Sequence, residues 1–255
     1  MFLSVVIPAY NEERRIGASL REVLAYLERQ AYRSEVIVVD DGSTDGTAGV
    51  VEAFARDHPQ ARVLRAPHRG KGHAVKTGML AARGEYRFLC DADLSMPVAE
   101  IGKFLPPALA GYNIAIGSRE GAGARRIGEP VARHLVGRAF NGFVGVLAVP
   151  GIRDTQCGFK CFRAEAAQVL FPLQRLDGFA FDVELLFLAR RRGMRVVEVP
   201  IEWRYQAESK VAPLRHALGM ARDVLRVRWS AWRGLYDARA VPPSGTGGAT
   251  PPSRK

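Results

Sequence analysis

Acidic and polar residues follow three β-rich stretches of the sequence, at the points where those stretches end. Residues 8–12 (PAYNE) follow the first stretch, residues 40–43 (DDGS) follow the second, and Asp91 and Asp93 follow the fourth. In open parallel sheets, ligands bind outside the carboxyl ends of the strands. One acidic turn at a strand end is usually only a turn, but three of them at one edge of a sheet indicate a binding site.

Asp91 and Asp93 are two residues apart at the end of a predicted strand. On an extended backbone, this spacing directs both carboxylates to the same side. Two close carboxylates repel each other, and a hard divalent cation relieves the repulsion. Mg²⁺ typically takes one or two carboxylates together with phosphate oxygens of a substrate. The D-x-D turn therefore predicts a metal that bridges a diphosphate.

Other catalytic and metal-binding motifs do not fit. The dipeptide at 70–71 (GK) lacks the spacing of a P-loop, and no H-E-x-x-H is present. The three cysteines are expected to be reduced thiols, and Cys157 with Cys161 cannot supply the four ligands of a structural zinc site. The five histidines are scattered and are interpreted as surface or packing residues, although His68 and His73 flank the RGKG turn.

Strand and helix signals alternate through the first half of the chain. Strands are predicted over 3–7, 35–39, 61–64, 86–90 and 112–116. Helices are predicted between them, the first capped by Asn11 and the later ones over 47–57, 72–82 and 98–109. This alternation predicts an α/β fold with a mainly parallel sheet and helices on both faces.

The second half of the chain has a less regular pattern. Helices are predicted over 130–149, 181–192 and 213–236, and strands over 158–162 and 195–203, the first of which crosses back. The composition of residues 239–255, rich in Pro, Gly, Ser and Thr, is typical of a disordered tail.

Composition and charge limit the classes of protein that fit. The 255 residues include 37 Lys and Arg against 26 Asp and Glu, a formal charge of +11, and 47% hydrophobic residues, which excludes a wholly disordered chain. The longest apolar-rich stretch without charge, residues 139–152, has 14 residues and is broken by Gly and Pro. A membrane span needs about 20, so we expect none. The N-terminus has no basic n-region and Pro8 interrupts its apolar run, so we expect no signal peptide either. Nucleic acid, an anionic membrane and phosphorylated ligands would each favour the positive charge.

An ordered set of motifs resembles the family 2 glycosyltransferases with a GT-A fold. The motifs are VVIPAYNE at 5–12, VVDDGSTDGT at 38–47, RGKGHA at 69–74, CDADLS at 90–95 and AIGSR at 115–119. Those of the second half are similar to the dolichyl-phosphate β-glucosyltransferases, with the dolichyl-phosphate mannosyltransferases as close relatives: GIRDTQCGFKCF at 151–162, FDVELL at 181–186 and ESK at 208–210. The resemblance implies one GT-A domain over 1–238, with a nucleotide-binding half (1–119), an acceptor half (120–212) and an amphipathic helix (213–238).

The same resemblance implies roles for individual residues. Positions expected to contact the nucleotide sugar, with Asp41 on the base, are Pro8, Tyr10, Glu12, Val39, Asp41, Lys71 and Ala92. Asp91 and Asp93 match the metal and diphosphate motif. Basic positions expected near the diphosphate and the acceptor phosphate are Arg119, Arg204 and Lys210. The residues expected to act in catalysis are Asp93, Arg119, Asp154 and Lys210.

The implied activity is inverting, metal-dependent transfer of glucose from UDP-glucose to a dolichyl or polyprenyl phosphate, with Mg²⁺ or Mn²⁺ as the cofactor. Ser95 and Asp182 stand where the mannosyltransferase pattern often has Gln and Lys, which favours the glucosyl branch. The alternatives are transfer of mannose or N-acetylglucosamine, a soluble acceptor, and a non-catalytic protein that binds nucleotide sugars.

The predicted helix 213–236 carries apolar side chains near one face, among them Leu225, Trp229 and Trp232, with arginines interspersed. This composition is typical of a helix that lies on a membrane surface, and a helix that packs on the domain would fit as well. The apolar segment 139–149 is a second membrane-facing candidate or part of the core. We expect a cytoplasmic protein, peripheral on the cytoplasmic face of an anionic membrane, with no nucleic-acid partner.

Overall fold

A seven-stranded sheet organises the chain in the computed structural model, which describes residues 1–205 and 213–237. The strands of this sheet are β1 (Leu3–Ala9), β2 (Ser34–Asp40), β3 (Ala61–Arg65), β4 (Tyr86–Leu89), β5 (Ile114–Ser118), β7 (Lys160–Arg163) and β8 (Val196–Pro200). Their order is β3-β2-β1-β4-β7-β5-β8, and β7 alone among them runs antiparallel to its neighbours. Two short strands, β6 (Arg125–Ile127) and β9 (Glu202–Arg204), pair in a second sheet.

Helices cover both faces of the main sheet. They are α1 (Glu13–Leu27), α2 (Thr47–Asp57), α3 (Lys71–Ala81), α4 (Val131–Leu147), α5 (Ala164–Leu170), α6 (Phe181–Arg191) and α7 (Pro213–Trp232), with 3₁₀ helices at Val98–Phe104 and Phe171–Leu173. The predicted α/β class and mainly parallel sheet are confirmed, as is the predicted strand that crosses back, which is β7.

The buried strands supply two apolar cores, one on each side of the sheet. Side chains alternate along a strand, so that Val36 and Val38 of β2 pack in the core of α1 and α2. Ile37 and Val39 point to the opposite core, which contains residues of α3, α5, α6 and α7. A continuous β-branched run suits a strand with both faces covered. The faces of the sheet are therefore closed to ligands, and the ends of the strands remain accessible.

Three local predictions were wrong. Asn11 does not cap α1: it adopts a left-handed φ of 55°, and its side-chain oxygen accepts a hydrogen bond from the Thr44 amide at 2.8 Å. The helix predicted over 98–109 is a short 3₁₀ helix, because the 106–107 Pro-Pro pair cannot continue a helix. The strand predicted over 195–203 divides after Pro200, and its second part joins β6 instead of the main sheet.

The faces of helix α4 differ in solvent exposure. Val144, Ala148 and Val149 in and after α4 are buried, whereas Val146 is 86% exposed, so this segment is partly core. Within 1–205 and 213–237, no helix is both long and apolar enough to cross a membrane.

Candidate active site

A cavity of about 500 Å³ lies at the carboxyl ends of β1, β2 and β4, and we call it the main cavity. It brings together nine of the sequence-predicted site residues: Pro8, Tyr10, Glu12, Asp41, Lys71, Asp91, Ala92, Asp93 and Arg119. The cavity stands where the strand ends of an open parallel sheet place a ligand.

Four predicted residues are not among the described lining of this cavity. Val39 is fully buried in the core, and Asp154 is fully buried behind Arg119. Arg204 has a side chain that is 60% exposed and pairs with Glu202. Lys210 lies outside the described residues.

Asp41 anchors the loop that leads into α3. Its carboxylate accepts hydrogen bonds from the backbone amides of Arg69 (3.1 Å) and Gly70 (2.9 Å), and it lies 2.8 Å from His68 Nδ1. Gly70 has a φ of +120°, and a Cβ there would meet the Asp177 carbonyl oxygen at 2.7 Å, so the turn requires glycine. By holding the Gly70 amide, the buried Asp41 carboxylate fixes the position of Lys71, which follows Gly70 in the chain.

Tyr10 and His68 form an aromatic wall of the main cavity. Their rings stack with centroids 4.1 Å apart and planes inclined by 17°, and both residues line the cavity. A flat stacked pair of this kind offers a π-face to the base of a nucleotide.

Lys71 and Asp91 form an ion pair inside the cavity, with Nζ and Oδ1 2.6 Å apart. Burial alone would lower the pKa of Lys71, but the nearby Asp91 and Asp182 carboxylates outweigh it and raise that pKa. Lys71 is therefore a fixed positive charge beside the D-x-D turn.

The backbone at Asp91 and Asp93 is a turn and not the extended strand that was predicted. The strand β4 ends at Leu89, residues 92–93 form a turn, and Leu94 has a positive φ of 46°. The Asp93 side chain closes this turn by accepting a hydrogen bond from the Ser95 amide at 3.0 Å. Both carboxylates still line one cavity, and Gly158 makes room for Asp91, because a Cβ there would overlap the carboxylate.

The two carboxylates fit a divalent cation that is completed by substrate oxygens. The described residues contain no group of three or more His, Cys, Asp or Glu side chains that could hold a metal. Mg²⁺ needs only one or two carboxylates when phosphate oxygens supply other ligands, and Asp91 and Asp93 provide those hard oxygens at one cavity.

Arg119 is held in the cavity wall by a buried carboxylate. Its Nε and one terminal nitrogen bind the two oxygens of Asp154 at 2.7 and 2.8 Å, and its backbone amide adds a third bond at 3.0 Å. Burial would raise the pKa of Asp154, but Arg119 outweighs burial and lowers it. The guanidinium also lies over the Trp203 ring, 5.4 Å from its centroid. Asp154 thus positions Arg119.

A second buried ion pair joins Lys160 of β7 to Asp182 of α6, at 2.8 Å. Asp182 lines the cavity, whereas Lys160 is 1% exposed. Burial raises the pKa of Asp182, and the charges of Lys160 and Lys71 oppose this only in part. The charges therefore alternate in sign from Asp91 through Lys71 to Asp182 in the cavity wall, with Lys160 buried behind Asp182.

Several residues that line the main cavity were not predicted from the sequence. His68 was interpreted as a surface or packing residue, yet it bonds Asp41 and stacks on Tyr10; its position beside the RGKG turn was the available signal. The other missed lining residues include Met96, Cys157, Phe179, Trp203 and Tyr205. Their apolar or aromatic types carried no signal of their own, and those from 157 onwards reach the site by packing of distant segments.

Comparisons with known proteins agree with this geometry. The profile of glycosyl transferase family 2 matches residues 4–171. A dolichyl-phosphate beta-glucosyltransferase of Trichomonas vaginalis, ALG5C, is 39% identical over 251 residues, which cover 94% of this chain and 74% of that protein. The Homo sapiens dolichyl-phosphate beta-glucosyltransferase is 37% identical over 250 residues, covering 91% and 77%.

A solved structure supports the same fold. Glucosyl-3-phosphoglycerate synthase from Mycobacterium tuberculosis, in complex with UDP, superimposes with a TM-score of 0.64 and 26% identity. The superposition covers 90% of this chain and 79% of that one. The GT-A architecture expected from the sequence is therefore confirmed.

Proposed function

The chain belongs to glycosyl transferase family 2 and is a glycosyltransferase, and from that premise we propose that it transfers glucose from UDP-glucose to a dolichyl or polyprenyl phosphate. The relatives named above are dolichyl-phosphate beta-glucosyltransferases, and the solved relative binds UDP. Both support this choice of donor and acceptor.

One observation carries the proposal: the main cavity combines a D-x-D pair with two fixed cations, Lys71 and Arg119. The stacked Tyr10 and His68 rings suit the base, and the acidic turn suits a cation on the diphosphate. When bound, Mg²⁺ or Mn²⁺ held by Asp91 and Asp93 would neutralise the negative charge that grows on the leaving diphosphate. Lys71 and Arg119 add fixed positive charge for the same purpose.

The acceptor chemistry explains why no strong general base is needed. A phosphate monoester has a second pKa near 6, so it is largely ionised at pH 7 and is already a nucleophile. Each carboxylate that lines the main cavity within the described chain already has a donor or a cationic partner: Glu12, Asp41, Asp91, Asp93 and Asp182. Direct attack by the phosphate oxygen breaks the bond from the sugar to the diphosphate and inverts the anomeric centre.

Contact with a membrane surface is the second part of the proposal, because the lipid acceptor resides there. Leu225, Trp229 and Trp232 of α7 are spaced by four and three residues, so they share one helical face. They are 55%, 52% and 81% exposed. Arginines flank this face, as in helices that lie on anionic bilayers. We propose that α7 lies on the cytoplasmic face of such a bilayer.

The test is a transfer assay with a panel of labelled donors. The protein is incubated with a short polyprenyl phosphate, Mg²⁺ or Mn²⁺, and UDP-glucose, GDP-mannose or UDP-N-acetylglucosamine. We expect labelled lipid from UDP-glucose, and none once the metal is chelated.

If labelled lipid forms only with another donor, the proposed donor sugar is that sugar and not glucose. Donor binding without transfer to any acceptor would indicate a non-catalytic nucleotide-sugar-binding protein and would overturn the proposal.

A further inference from the structure

A second cavity, of about 430 Å³, lies beside α3 and shares no lining residue with the main cavity. We call it the basic cavity. Its walls come from α3, from the segment 174–177 and from α7. The glycosyl transfer proposed above uses none of these side chains.

Four cationic side chains line the basic cavity: Arg69, Lys76, Arg175 and Arg226. One carboxylate lines it as well, that of Asp177, which pairs with Arg69 at 2.6 Å. Within residues 1–205 and 213–237, no ion pair joins Lys76, Arg175 or Arg226 to a carboxylate. The cavity therefore has an excess of positive charge.

Lys76 of α3 is partly buried in the wall of this cavity. Its ammonium group donates a hydrogen bond to the Gln174 carbonyl at 2.9 Å. Burial is the main cause that lowers the pKa of Lys76, and repulsion from Arg69 and Arg175 adds to it, against the opposing charges of Glu184 and Asp177. An anion in the cavity would be a common partner for Lys76 and the neighbouring Arg69 and Arg175.

One apolar side chain lines the basic cavity, and further exposed apolar side chains lie next to Arg226 on α7. Leu80 of α3 is part of its wall and is 44% exposed. Arg226 is preceded by Leu225 and followed three residues later by Trp229, both of which are about half exposed. A ligand that offers a phosphate beside hydrocarbon matches this combination better than a free phosphate does.

We propose that the basic cavity binds the phosphate headgroup of an acidic phospholipid, whose acyl chains lie against the exposed face of α7. This inference rests on the membrane contact proposed above and specifies where a lipid other than the acceptor is held. The helix α3 connects the two sites, since Lys71 at its first residue pairs with Asp91 and Lys76 and Leu80 line the basic cavity. A headgroup held here would fix the orientation of the main cavity relative to the bilayer.

The test uses the full chain and sedimentation with vesicles. One set of vesicles is phosphatidylcholine alone, and the other contains phosphatidylglycerol in part. The variant R175Q/R226Q removes two cavity charges. The control R14Q/R21Q removes two exposed charges from α1, which packs on the opposite face of the sheet.

We expect wild type and R14Q/R21Q to bind the phosphatidylglycerol vesicles alike. R175Q/R226Q should bind them about 30-fold more weakly, since each arginine near an anionic surface contributes about a factor of five. Equal weakening of both double variants would overturn the proposal in favour of general charge attraction, and unchanged binding of R175Q/R226Q would overturn it outright.

Two further arms separate the possible sources of the phosphate and the two proposals. Calorimetric titration with glycerol 3-phosphate should give no binding that depends on Arg175 and Arg226. Binding of that kind would assign the cavity to a free phosphate ester and overturn the lipid source.

Glucose transfer to a short, water-soluble prenyl phosphate should be equal in R175Q/R226Q and wild type. Failure of that transfer in wild type would overturn the proposed function and leave the vesicle result intact.

Discussion

Two carboxylate sites, one in each half of the chain, work in different ways. In the first half, Asp91 and Asp93 stand in a turn after β4 with their oxygens lining the main cavity. In the second half, Asp154 is fully buried and directs both oxygens to Arg119. The first arrangement can bind a ligand directly, whereas the second places a cation where a ligand will meet it.

The difference follows from the burial of each group. The carboxylates of Asp91 and Asp93 are only partly buried and keep lone pairs available for a metal, while a fully buried carboxylate must be paired or it destabilises the fold. Asp182 lies between these cases, because it lines the cavity and pairs with buried Lys160. Substitution of Asp93 should therefore affect activity alone, and substitution of Asp154 should affect activity and stability together.

The largest effect on activity is expected from D93N. The amide keeps the turn with Ser95 but is a poor ligand for a divalent cation, so kcat should fall about 10³-fold. The assay is transfer from UDP-glucose at saturating Mg²⁺ or Mn²⁺. Thermal unfolding should be unchanged, and full activity of D93N would refute the metal assignment.

D154N should break the second-half pattern. The Arg119 guanidinium would lose its charged partner in a buried site, which costs about 3–5 kcal/mol of unfolding free energy. Urea unfolding measures this loss. The matched control is E202Q, which removes the partner of exposed Arg204 and should change stability by less than about 1 kcal/mol. Equal losses in the two variants would contradict the comparison.

The pH dependence of stability should separate Asp154 from Asp182. The pKa of Asp154 is lowered by Arg119 from its usual 3.8, so its contribution is complete above that pH and is lost as pH falls through the lower folded value. The stability advantage of wild type over D154N should therefore shrink in acid below about pH 3.8.

Asp182 should give the opposite slope. Burial raises its pKa above the usual 3.8, so stability falls as pH rises from that value through the higher folded pKa. The difference in unfolding free energy between wild type and D182N should therefore decrease as pH rises. Unfolding free energies measured across the acid range test both slopes, and parallel profiles for D154N and D182N would contradict the account.

The smallest effect is expected from R204Q. The Arg204 side chain is 60% exposed and pairs with Glu202 outside the described cavity lining. Its removal should change kcat/KM by less than about fivefold, since exposed pairs contribute about 1 kcal/mol or less. A loss comparable with that of D93N would place Arg204 at the substrate, as the family resemblance implied.

The gathering of the first-half residues at one edge of the sheet could be predicted from the sequence, because it depends on local signals. Continuous β-branched runs mark buried strands, and the polar turns after them must gather at one sheet edge. The family motifs then named Lys71 and Arg119, and both line the cavity.

The parts that could not be predicted depend on contacts between distant segments. Arg119 and Asp154 are 35 residues apart in the chain, and nothing local pairs them. A three-residue strand such as β6 has too few residues for an alternating pattern. The basic cavity joins α3 to Arg226 of α7, and in the sequence these charges are indistinguishable from solvated ones.

In the proposed reaction, an ionised lipid phosphate displaces the diphosphate directly. The most direct measurement is the anomeric configuration of the product, determined by proton NMR after transfer of glucose from UDP-glucose to a short prenyl phosphate. We expect the β-linked glucosyl phosphate, inverted from the α-linked donor. An α-linked product, or release of free glucose in place of glucosyl lipid, would contradict it.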